Sequence, residues 1–361
     1  MSFAHREDPP PRDGQPGAFR AEGAWQSLKG VARAGWWAAT GYAVRRITRA
    51  GEAPPETFAP TAPPPPPGLL RQLWREAFIK DGRDVAAGVY PPMADRAFVA
   101  DSGVRGAADL LRDARQVEAR RRRRGGVEAR DQAAHPAAYP TYYRQNFHYQ
   151  SGGWFTSDSA RRYEAQVEAL FAGAAGPMRR RALSLLAKAW AHEDHRDRAV
   201  LDLACGSGAF LENLALAFPR ARLTGIDLSE AYLAEASRRS TRARLICALA
   251  ERLPLSTASL DAVSCIYLFH EVPPRVRPRI AAEIARILKP GGLLAFADSL
   301  QPGDEPGLLR SLEAFPAYFH EPFYRSYGET DLKSLFAEAG LSLEASDRAF
   351  LTKALLFRKA G

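Results

Sequence analysis

The sequence has few cysteines and no long apolar run. Its three cysteines, Cys205, Cys247 and Cys265, lie far apart in the 361 residues and show no metal-ligand spacing. We therefore expect neither a disulfide framework nor a metal site, and a reducing compartment is favoured. No apolar stretch reaches the roughly 18 residues of a membrane span. The N-terminus also lacks the pattern of a signal peptide, so we expect a cytoplasmic protein.

Acidic residues are outnumbered by basic ones, with 41 Asp and Glu against 50 Lys and Arg and a net charge of +9. Such a balance favours anionic partners, which include membrane surfaces, nucleic acids and acidic metabolites. The charge is concentrated locally, most clearly at Arg120–Arg124 in the last turn of a predicted helix. Cations there suit the helix dipole, so a solvated helix end is favoured over a phosphate-binding patch.

Residues 1–68 are polar and rich in turn formers, and they end in five consecutive prolines, 63–67. We predict a disordered, basic and Pro-rich tail, with the prolines as a semi-rigid spacer. Within it, residues 24–50 combine tryptophans with basic residues in a predicted amphipathic helix. Such a helix can lie on an anionic bilayer, which predicts peripheral membrane contact. The alternatives are a loose tail helix and a helix packed on its own catalytic domain.

The remaining chain divides into two predicted parts. Residues 69–138 carry apolar residues at helical spacing and form a predicted helical extension. Residues 139–361 form the predicted catalytic domain, which begins with an aromatic loop at 139–155. A second aromatic loop at 315–327 pairs with the first either as a lid that excludes water or as plain packing over a sheet edge.

From residue 199, short buried apolar runs alternate with amphipathic helices. This alternation predicts an α/β fold with a doubly wound, mostly parallel seven-stranded sheet that is covered on both faces. The last two strand-like runs are joined by a short polar turn, so one of them is expected to run antiparallel.

The stretch "LDLACGSGAF" places Gly206 and Gly208 directly after the first predicted strand, and Asp227 ends the second strand 19 residues after Gly208. Glycines there let a ligand approach the backbone, and a carboxylate at that distance suits ribose hydroxyls. Leu211 stands where a dinucleotide site needs its third glycine, and Asp202 disfavours a pyrophosphate nearby. S-adenosylmethionine, with an ammonium, a sulfonium and a ribose, fits this acid-flanked loop.

Four segments in order, "VLDLACGSGAF", "GIDLSEAYLAEAS", "AERLPLSTASLDAV" and "EIARILKPGGLLAFAD", resemble a known family. Residues 199–299 resemble the core of class I S-adenosylmethionine-dependent methyltransferases, of the broad type 11 group. The resemblance implies a Rossmann-like methyltransferase fold, covers less than half of the chain, and carries little information on residues 1–138.

The resemblance also implies roles in cofactor binding. Asp202 would hold the methionine ammonium, Asp227 the ribose hydroxyls, and the backbone of Gly206 and Gly208 the methionine part. The family's first motif usually has a glycine where this chain has Ala204. The positions expected around the adenine are Leu228, Leu249, Ala250 and Glu251. Among these, Leu249 replaces an aspartate that is common in the family, and Glu251 is a candidate to compensate for it.

The acceptor side is predicted from the ends of the fourth and fifth strands. His270 and Glu271 follow the fourth strand, and Asp298 ends the fifth. His270 is the preferred general base because the reference pKa of histidine lies near neutrality. A role as a wall of the cofactor pocket is an equal alternative.

The preferred interpretation is a methyltransferase acting on a small apolar or aromatic acceptor by O- or C-methylation. A quinone-like acceptor becomes attractive if the tail contacts a membrane. One alternative is an RNA methyltransferase that uses the basic N-terminal region, although nucleic-acid-binding motifs are not visible. Another is a non-catalytic adaptor whose Pro-rich tail recruits partners.

Overall fold

The computed structural model describes residues 16–48, 58–93, 100–128, 139–240 and 242–361. Its strands form one sheet in the order β3-β2-β1-β4-β5-β7-β6. Strand β7 pairs antiparallel with both β5 and β6, and the other pairings are parallel. The predicted seven-stranded, mostly parallel sheet is thus confirmed. The strands are β1 (Ala199–Leu203), β2 (Arg222–Asp227), β3 (Arg244–Cys247), β4 (Leu260–Ile266), β5 (Leu288–Ser299), β6 (Leu341–Ala349) and β7 (Thr352–Lys359).

Helices precede the sheet and connect its strands. Those before the sheet are α1 (Pro16–Thr48), α2 (Leu69–Ala86), α3 (Ala100–Arg123), α4 (Ser157–Leu170) and α5 (Ala175–Ala189). Those within and after it are α6 (Ala209–Ala217), α7 (Glu230–Arg239), α8 (Arg277–Ile287), α9 (Leu309–Tyr318), α10 (Tyr324–Gly328) and α11 (Leu332–Glu338). Among the described helices, none is long and apolar enough to cross a bilayer.

Successive residues of the central strands point to opposite faces of the sheet, which produces two apolar cores. On one face, Val200 packs with residues of α5 and α6. On the other face, Leu201 packs with residues of α8 and α11. Because both faces are covered, the central strands consist of continuous apolar residues, which is the pattern that the sequence showed.

Helix α1 differs from the predicted disordered tail. Pro16–Thr48 forms one helix that packs on α2, α3 and α4, whereas residues 1–15 and 49–57 lie outside the described residues. Ala34 and Trp37 are fully buried in these contacts. Burial of this face against the other helices explains the order, because tertiary packing supplies most of the stability of a helix. Of the alternatives, packing on its own catalytic domain is the one that agrees with the structure.

Helix α2 also departs from its predicted place in a separate extension. Val85 and Tyr90 join the core that α5 and α6 form on the sheet. The Asp81 carboxylate accepts hydrogen bonds from Arg180 Nε and Nη2 of α5 at 2.6 and 2.7 Å, with both side chains buried. The helices before residue 138 are therefore part of the same packed unit as the sheet.

The arginines at the end of α3 are paired within the chain. Arg120 Nε donates to Glu128 at 2.9 Å and its Nη1 to the Tyr149 carbonyl at 2.7 Å. Arg121 and Arg122 both donate to Glu118. These contacts agree with a helix end neutralised by neighbours rather than a patch held open for phosphates.

Candidate active site

A cavity lies at the carboxyl ends of β1, β2 and β4, where the order of the parallel strands reverses. Ligands bind at this position in open α/β sheets. The predicted site residues that line it are Ala204, Gly206, Asp227, Leu228, Leu249, Ala250 and Glu271. Five predicted site residues do not line this cavity, and their positions are described in turn below. They are Asp202, Gly208, Glu251, His270 and Asp298.

The Asp227 carboxylate holds the loop after β1. Its Oδ2 accepts from the backbone N–H of Gly206 at 2.9 Å, and its Oδ1 accepts from that of Ser229 at 2.8 Å. Burial raises the pKa of Asp227, while these backbone hydrogen bonds oppose the rise. Because each carboxylate oxygen can accept more than one hydrogen bond, the group retains capacity for a ligand hydroxyl.

The two glycines of the loop serve different purposes, although both have positive φ, +53° at Gly206 and +82° at Gly208. A Cβ added to Gly206 would meet only a ring carbon of Tyr232 at 4.0 Å, so the space beside it is free for a ligand. A Cβ added to Gly208 would lie 2.9 and 3.0 Å from Cβ and Cα of Ala236. Gly208 therefore allows close packing of α7 rather than contact with the cavity.

Asp202 lies buried beneath the loop. Its Oδ1 accepts a hydrogen bond from Ser264 Oγ at 2.7 Å, and its Oδ2 has no hydrogen-bond partner among the described residues. Burial raises the pKa of Asp202 to about 7, and the charge of Asp227 acts in the same direction. A buried acceptor without a partner is costly, so this oxygen is suited to a cationic group or to a water molecule that bridges to one.

Glu251 has a partner of its own. Both of its oxygens lie 2.9 Å from Tyr142 Oη, which donates to them, and Tyr142 rather than Glu251 lines the cavity. The prediction that Glu251 replaces the missing adenine acceptor at Leu249 therefore lacks geometric support. What Glu251 does is fix the position of a ring in the cavity wall.

The two aromatic loops contact each other, and the first of them lines the cavity. The N–H of His148 donates to the carbonyl of His320 at 3.3 Å, and Nε2 of His320 lies 2.9 Å from Oε1 of Gln145. From the first loop, Tyr142, Tyr143, Phe147 and Trp154 line the cavity. The lid interpretation agrees with this placement, since the rings cover one side of the cavity.

A second, smaller cavity adjoins the first and contains His270. Glu271, Tyr163 and Tyr267 line both cavities. Phe315 and Tyr324 from the second aromatic loop close the smaller one. Ligands that entered the two cavities would approach each other beside Glu271.

Asp298 stands behind His270 and reaches neither cavity. It is fully buried and lies 2.5 Å from His270 Nδ1, while the backbone N–H groups of Phe269 and Ser299 donate to it at 2.9 and 2.7 Å. The prediction that Asp298 faces the reacting centre is wrong in this respect. Its geometry makes it a positioning residue that fixes the ring and tautomer of His270.

The charge of Asp298 changes the protonation of His270. Burial lowers the pKa of His270, but the charge of Asp298 and its hydrogen bond outweigh burial and raise that pKa to about 9. The imidazole is then protonated at neutral pH. His270 can accept a proton only after it has lost this one, which qualifies its predicted role as a base poised near neutrality.

Two further carboxyl groups face this imidazolium. Glu271 Oε1 lies 3.8 Å from His270 Nε2, and burial raises the pKa of Glu271. Glu321 is completely buried 3.2 Å from His148 Nε2, and burial raises its pKa as well. Clusters of buried groups with shifted pKa values are typical of active sites.

Several functional candidates had no signal in the sequence. Tyr163 and Tyr267 join the two cavities, and Tyr267 has a positive φ of +58°. Ala204 shares this conformation with a φ of +57°. Non-glycine residues in this region store strain, and they cluster at functional sites. Only the departure from glycine at Ala204 was visible beforehand.

The loop after β1 is also tied to the N-terminal helices. Ser207 Oγ donates to Glu164 Oε1 of α4 at 2.7 Å, and Arg179 of α5 donates to Glu164 Oε2 at 2.7 Å. All three side chains are buried. The chain before the sheet therefore helps to position the predicted cofactor loop.

The cavity fits S-adenosylmethionine on three structural observations. Asp202 offers a buried oxygen without a partner to a cation, and Gly206 leaves space where any side chain would intrude. Leu228 and Leu249 supply apolar walls for a flat ring. In addition, Asp227 and Glu271 line the cavity, and none of the described residues that line it is a lysine or an arginine.

Comparison with known proteins gives a class. Residues 200–292 match a family described as a methyltransferase domain. An uncharacterized methyltransferase of Synechocystis is 32% identical over 144 residues, which are 40% of this chain and 66% of that protein. A demethylmenaquinone methyltransferase of Listeria monocytogenes is 31% identical over 167 residues, covering 40% of this chain and 69% of that protein.

A third relative is the phthiotriol/phenolphthiotriol dimycocerosates methyltransferase of Mycobacterium leprae. It is 36% identical over 112 residues, which are 30% of this chain and 40% of that protein. The chain spans between a third and two thirds of the length of the first curated relatives it matches.

The sheet order, the cavity at its switch point and these matches define a methyltransferase fold. The chain belongs to the class I S-adenosylmethionine-dependent methyltransferases, as the resemblance predicted. S-adenosylmethionine is the cofactor of this class.

Proposed function

We propose that this protein transfers a methyl group from S-adenosylmethionine to oxygen or carbon of an apolar or aromatic acceptor. The observation that carries the proposal is the junction of two cavities at Glu271, Tyr163 and Tyr267. One cavity fits the cofactor and the other contains a titratable cluster. Transfer needs the two ligands end to end, because the acceptor atom must approach the methyl group in line.

The protein's own groups would manage the proton of the acceptor. The cofactor, when bound, supplies an activated methyl group on a good leaving group. His270 and Glu271 line the acceptor cavity, where they can bind a hydroxyl or an acidic carbon and take up its proton. In its charged form the imidazole would instead stabilise negative charge that develops on the acceptor, and Glu271 would then be the group that takes up the proton. The aromatic loops exclude water from this exchange.

The walls of the acceptor cavity support an apolar acceptor. Leu170, Phe171, Met178, Leu312 and Phe315 contribute apolar surface. Sites of this kind bind ligands through apolar contact and orient them with a few polar groups. The quinone-related name of the Listeria relative supports the same class of acceptor.

Calorimetry with S-adenosylmethionine tests the cofactor half of the proposal. We expect saturable binding, weakened at least about tenfold in Asp227→Ala, since the variant loses charge-assisted hydrogen bonds and the anchor of the Gly206 loop. Asp261→Ala is the control, because Asp261 pairs with Lys289 near the start of β4, at the end of the strands opposite the cavity. Absence of binding to the unaltered protein would favour the adaptor alternative.

Metabolite profiling tests the acceptor half. A deletion strain should lack a methylated product and accumulate its precursor, which is lighter by one methylene unit, in the organic-solvent extract. Enrichment of unmethylated RNA, with no change in that extract, would instead support the RNA methyltransferase alternative.

We also propose that α1 makes peripheral contact with an anionic bilayer. Large apolar residues on its outer side are exposed, including Leu28 at 59%, Val31 at 52% and Trp36 at 38%. The exposed Arg45 and Arg46 add positive charge to the same helix. Exposed apolar and basic residues on one helix favour contact with an anionic membrane surface.

Flotation with vesicles that contain phosphatidylglycerol tests this contact. The unaltered chain should float, and Leu28→Ser with Trp36→Ser should reduce flotation at least about threefold. The control replaces exposed apolar residues of other helices, Ile79→Ser with Leu216→Ser. Equal flotation of all three proteins would contradict membrane contact through α1.

A further inference from the structure

A larger cavity of about 480 Å³ lies between α1, α3, α4 and α9. Its volume falls within the range of binding sites for small molecules. The helices that enclose it include α1 and α3, which lie outside the 200–292 segment that matches the family. This cavity therefore lies outside the segment that matches the family.

The larger cavity borders the acceptor cavity. Six residues line both of them, namely His148, Tyr163, Val167, Leu170, Ser311 and Phe315. The larger cavity extends from this junction to Gly41, Val44 and Arg45 on α1. Together they form a path from His270 to the N-terminal helices.

The wall of this path is apolar along most of its length. Val44, Leu110, Val117 and Phe319 contribute to it beyond the junction. Two of the polar side chains that also line it are paired, because Arg121 Nε donates to Glu118 Oε2 at 2.8 Å. An apolar occupant would therefore leave this ion pair intact.

Burial favours the neutral forms of the titratable groups at the junction. It lowers the pKa of His148 to about 3, so the imidazole is neutral, and it raises the pKa of Glu321, which lies 3.2 Å from His148 Nε2. An apolar group that passes His148 therefore meets a neutral imidazole and a carboxyl group whose protonated form is favoured. A charged ligand, in contrast, would lose its hydration without gaining a partner.

The path depends on close approach of α1. A Cβ added to Gly41 would lie 2.7 Å from the carbonyl oxygen of Ala169, so the glycine lets α1 sit directly against α4. Ala34 and Trp37 hold the same helix in the core, as described above. The wall that α1 provides is thus a fixed part of the fold.

We propose that the cavity between α1, α3, α4 and α9 binds a long apolar chain carried by the methyl acceptor. This inference rests on the proposed function, because the reactive end of the acceptor would lie beside His270 and Glu271. The chain would run past His148 and Phe315 toward Val44. The substrate class is then a lipid-like molecule with a methylatable head, rather than a compact aromatic compound.

Binding of the fluorescent long-chain fatty acid cis-parinaric acid tests the inference without requiring turnover. We expect saturable binding to the full chain, with competition by hexadecanoic acid at least about tenfold stronger than by hexanoic acid. Each methylene group buried in such a cavity strengthens binding by about fourfold. Equal competition by the two acids would overturn the inference.

A matched pair of variants locates the site. Ala314 of α9 lines the cavity, whereas Ala317 on the same helix does not, and both are half-buried. Ala314→Trp should fill the cavity and weaken binding of the probe at least about tenfold, whereas Ala317→Trp should leave it unchanged. Identical effects of the two variants would overturn the inference.

Calorimetry with S-adenosylmethionine on the same proteins separates the two proposals. Normal cofactor binding without selective probe binding defeats the apolar chain and leaves the proposed function standing. Failure of the unaltered protein to bind the cofactor defeats the proposed function itself. Selective probe binding with cofactor binding supports both.

Discussion

The cofactor half and the acceptor half of the candidate site are built from different parts of the chain. The cofactor half uses the loops after β1, β2 and β4, within or next to the 200–292 segment that matches the family. The acceptor half uses α4, α9 and the two aromatic loops, which lie outside that segment, together with Tyr267, His270 and Glu271, which lie within it. The cofactor half therefore comes mainly from the matched segment, whereas most of the wall of the acceptor half comes from outside it.

The contrast also appears in the chemistry of the two halves. Backbone groups and two carboxylates, Asp202 and Asp227, dominate around the cofactor loop. Aromatic rings and a buried cluster around His270 dominate on the acceptor side. Only the second arrangement can determine which molecule is methylated, because every member of the class binds the same cofactor.

The largest expected effect sharpens this contrast at His270. If His270 takes up the proton of the acceptor, kcat/KM rises with pH up to about pH 9, because only the neutral imidazole accepts a proton. Asp298→Asn removes the charge that contributes most to raising this pKa, whereas the charges of Glu271 and Glu321, which also raise it, remain. The rise of kcat/KM with pH should therefore move to lower pH by about 1–3 units, or about 1–4 kcal/mol.

The affinity for S-adenosylmethionine is the control for this variant, since Asp298 does not line the cofactor cavity. Activity that falls as pH passes 9 would show that the imidazolium is the working form, and the base assignment would be wrong. If kcat/KM of the variant still rises with pH up to about pH 9, a group other than His270 is the proton acceptor.

A second prediction separates ligand contact from packing within the cofactor half. Gly208→Ala should lower the free energy of unfolding by about 3 kcal/mol, from positive φ and from the clash with Ala236. Gly206→Ala should lower it by only about 1 kcal/mol, because the added methyl group projects into free space.

Urea denaturation and calorimetry together distinguish the two glycines. The Gly206 variant should remain folded and bind S-adenosylmethionine at least about tenfold more weakly, since its methyl group occupies ligand space. Cofactor binding as in the unaltered protein would mean that the ligand does not approach Gly206, and the assignment of this cavity would fail.

The sequence predicted the fold and the cofactor half for the same physical reason. The alternation of strands and helices, and the spacing of glycines and carboxylates after the strands, are patterns within short segments of the chain. The carboxyl ends of parallel strands necessarily share one edge of the sheet. Asp202, Gly206 and Asp227 could therefore be placed near one another before any coordinates. The antiparallel β7 followed similarly from the short turn before it.

The acceptor half depended on contacts between distant segments, which no local pattern encodes. The pairing of Asp298 with His270 joins residues 28 apart, and that of His320 with Gln145 joins residues 175 apart. For α1 the sequence predicted a helix over residues 24–50 but left open what it packs against, and its contacts with α2, α3 and α4 again join distant segments. The hydrogen bond between Glu251 and Tyr142 could likewise not be predicted from the sequence, because the two residues are 109 positions apart.

The smallest expected effect tests whether strain in the cofactor loop resembles strain elsewhere in the fold. Ala204 and Ala258 both have positive φ, +57° and +52°, but only Ala204 lines the cavity. Replacement of either by glycine removes the conformational penalty of about 1–2 kcal/mol and adds chain entropy of about 0.5–1 kcal/mol to the unfolded state. We expect both variants to gain about 0.5–1 kcal/mol in urea denaturation. A loss at Ala204 with a gain at Ala258 would show that the Ala204 methyl group supports the cavity wall by packing, and the departure from the family's glycine would then be a structural feature of this site.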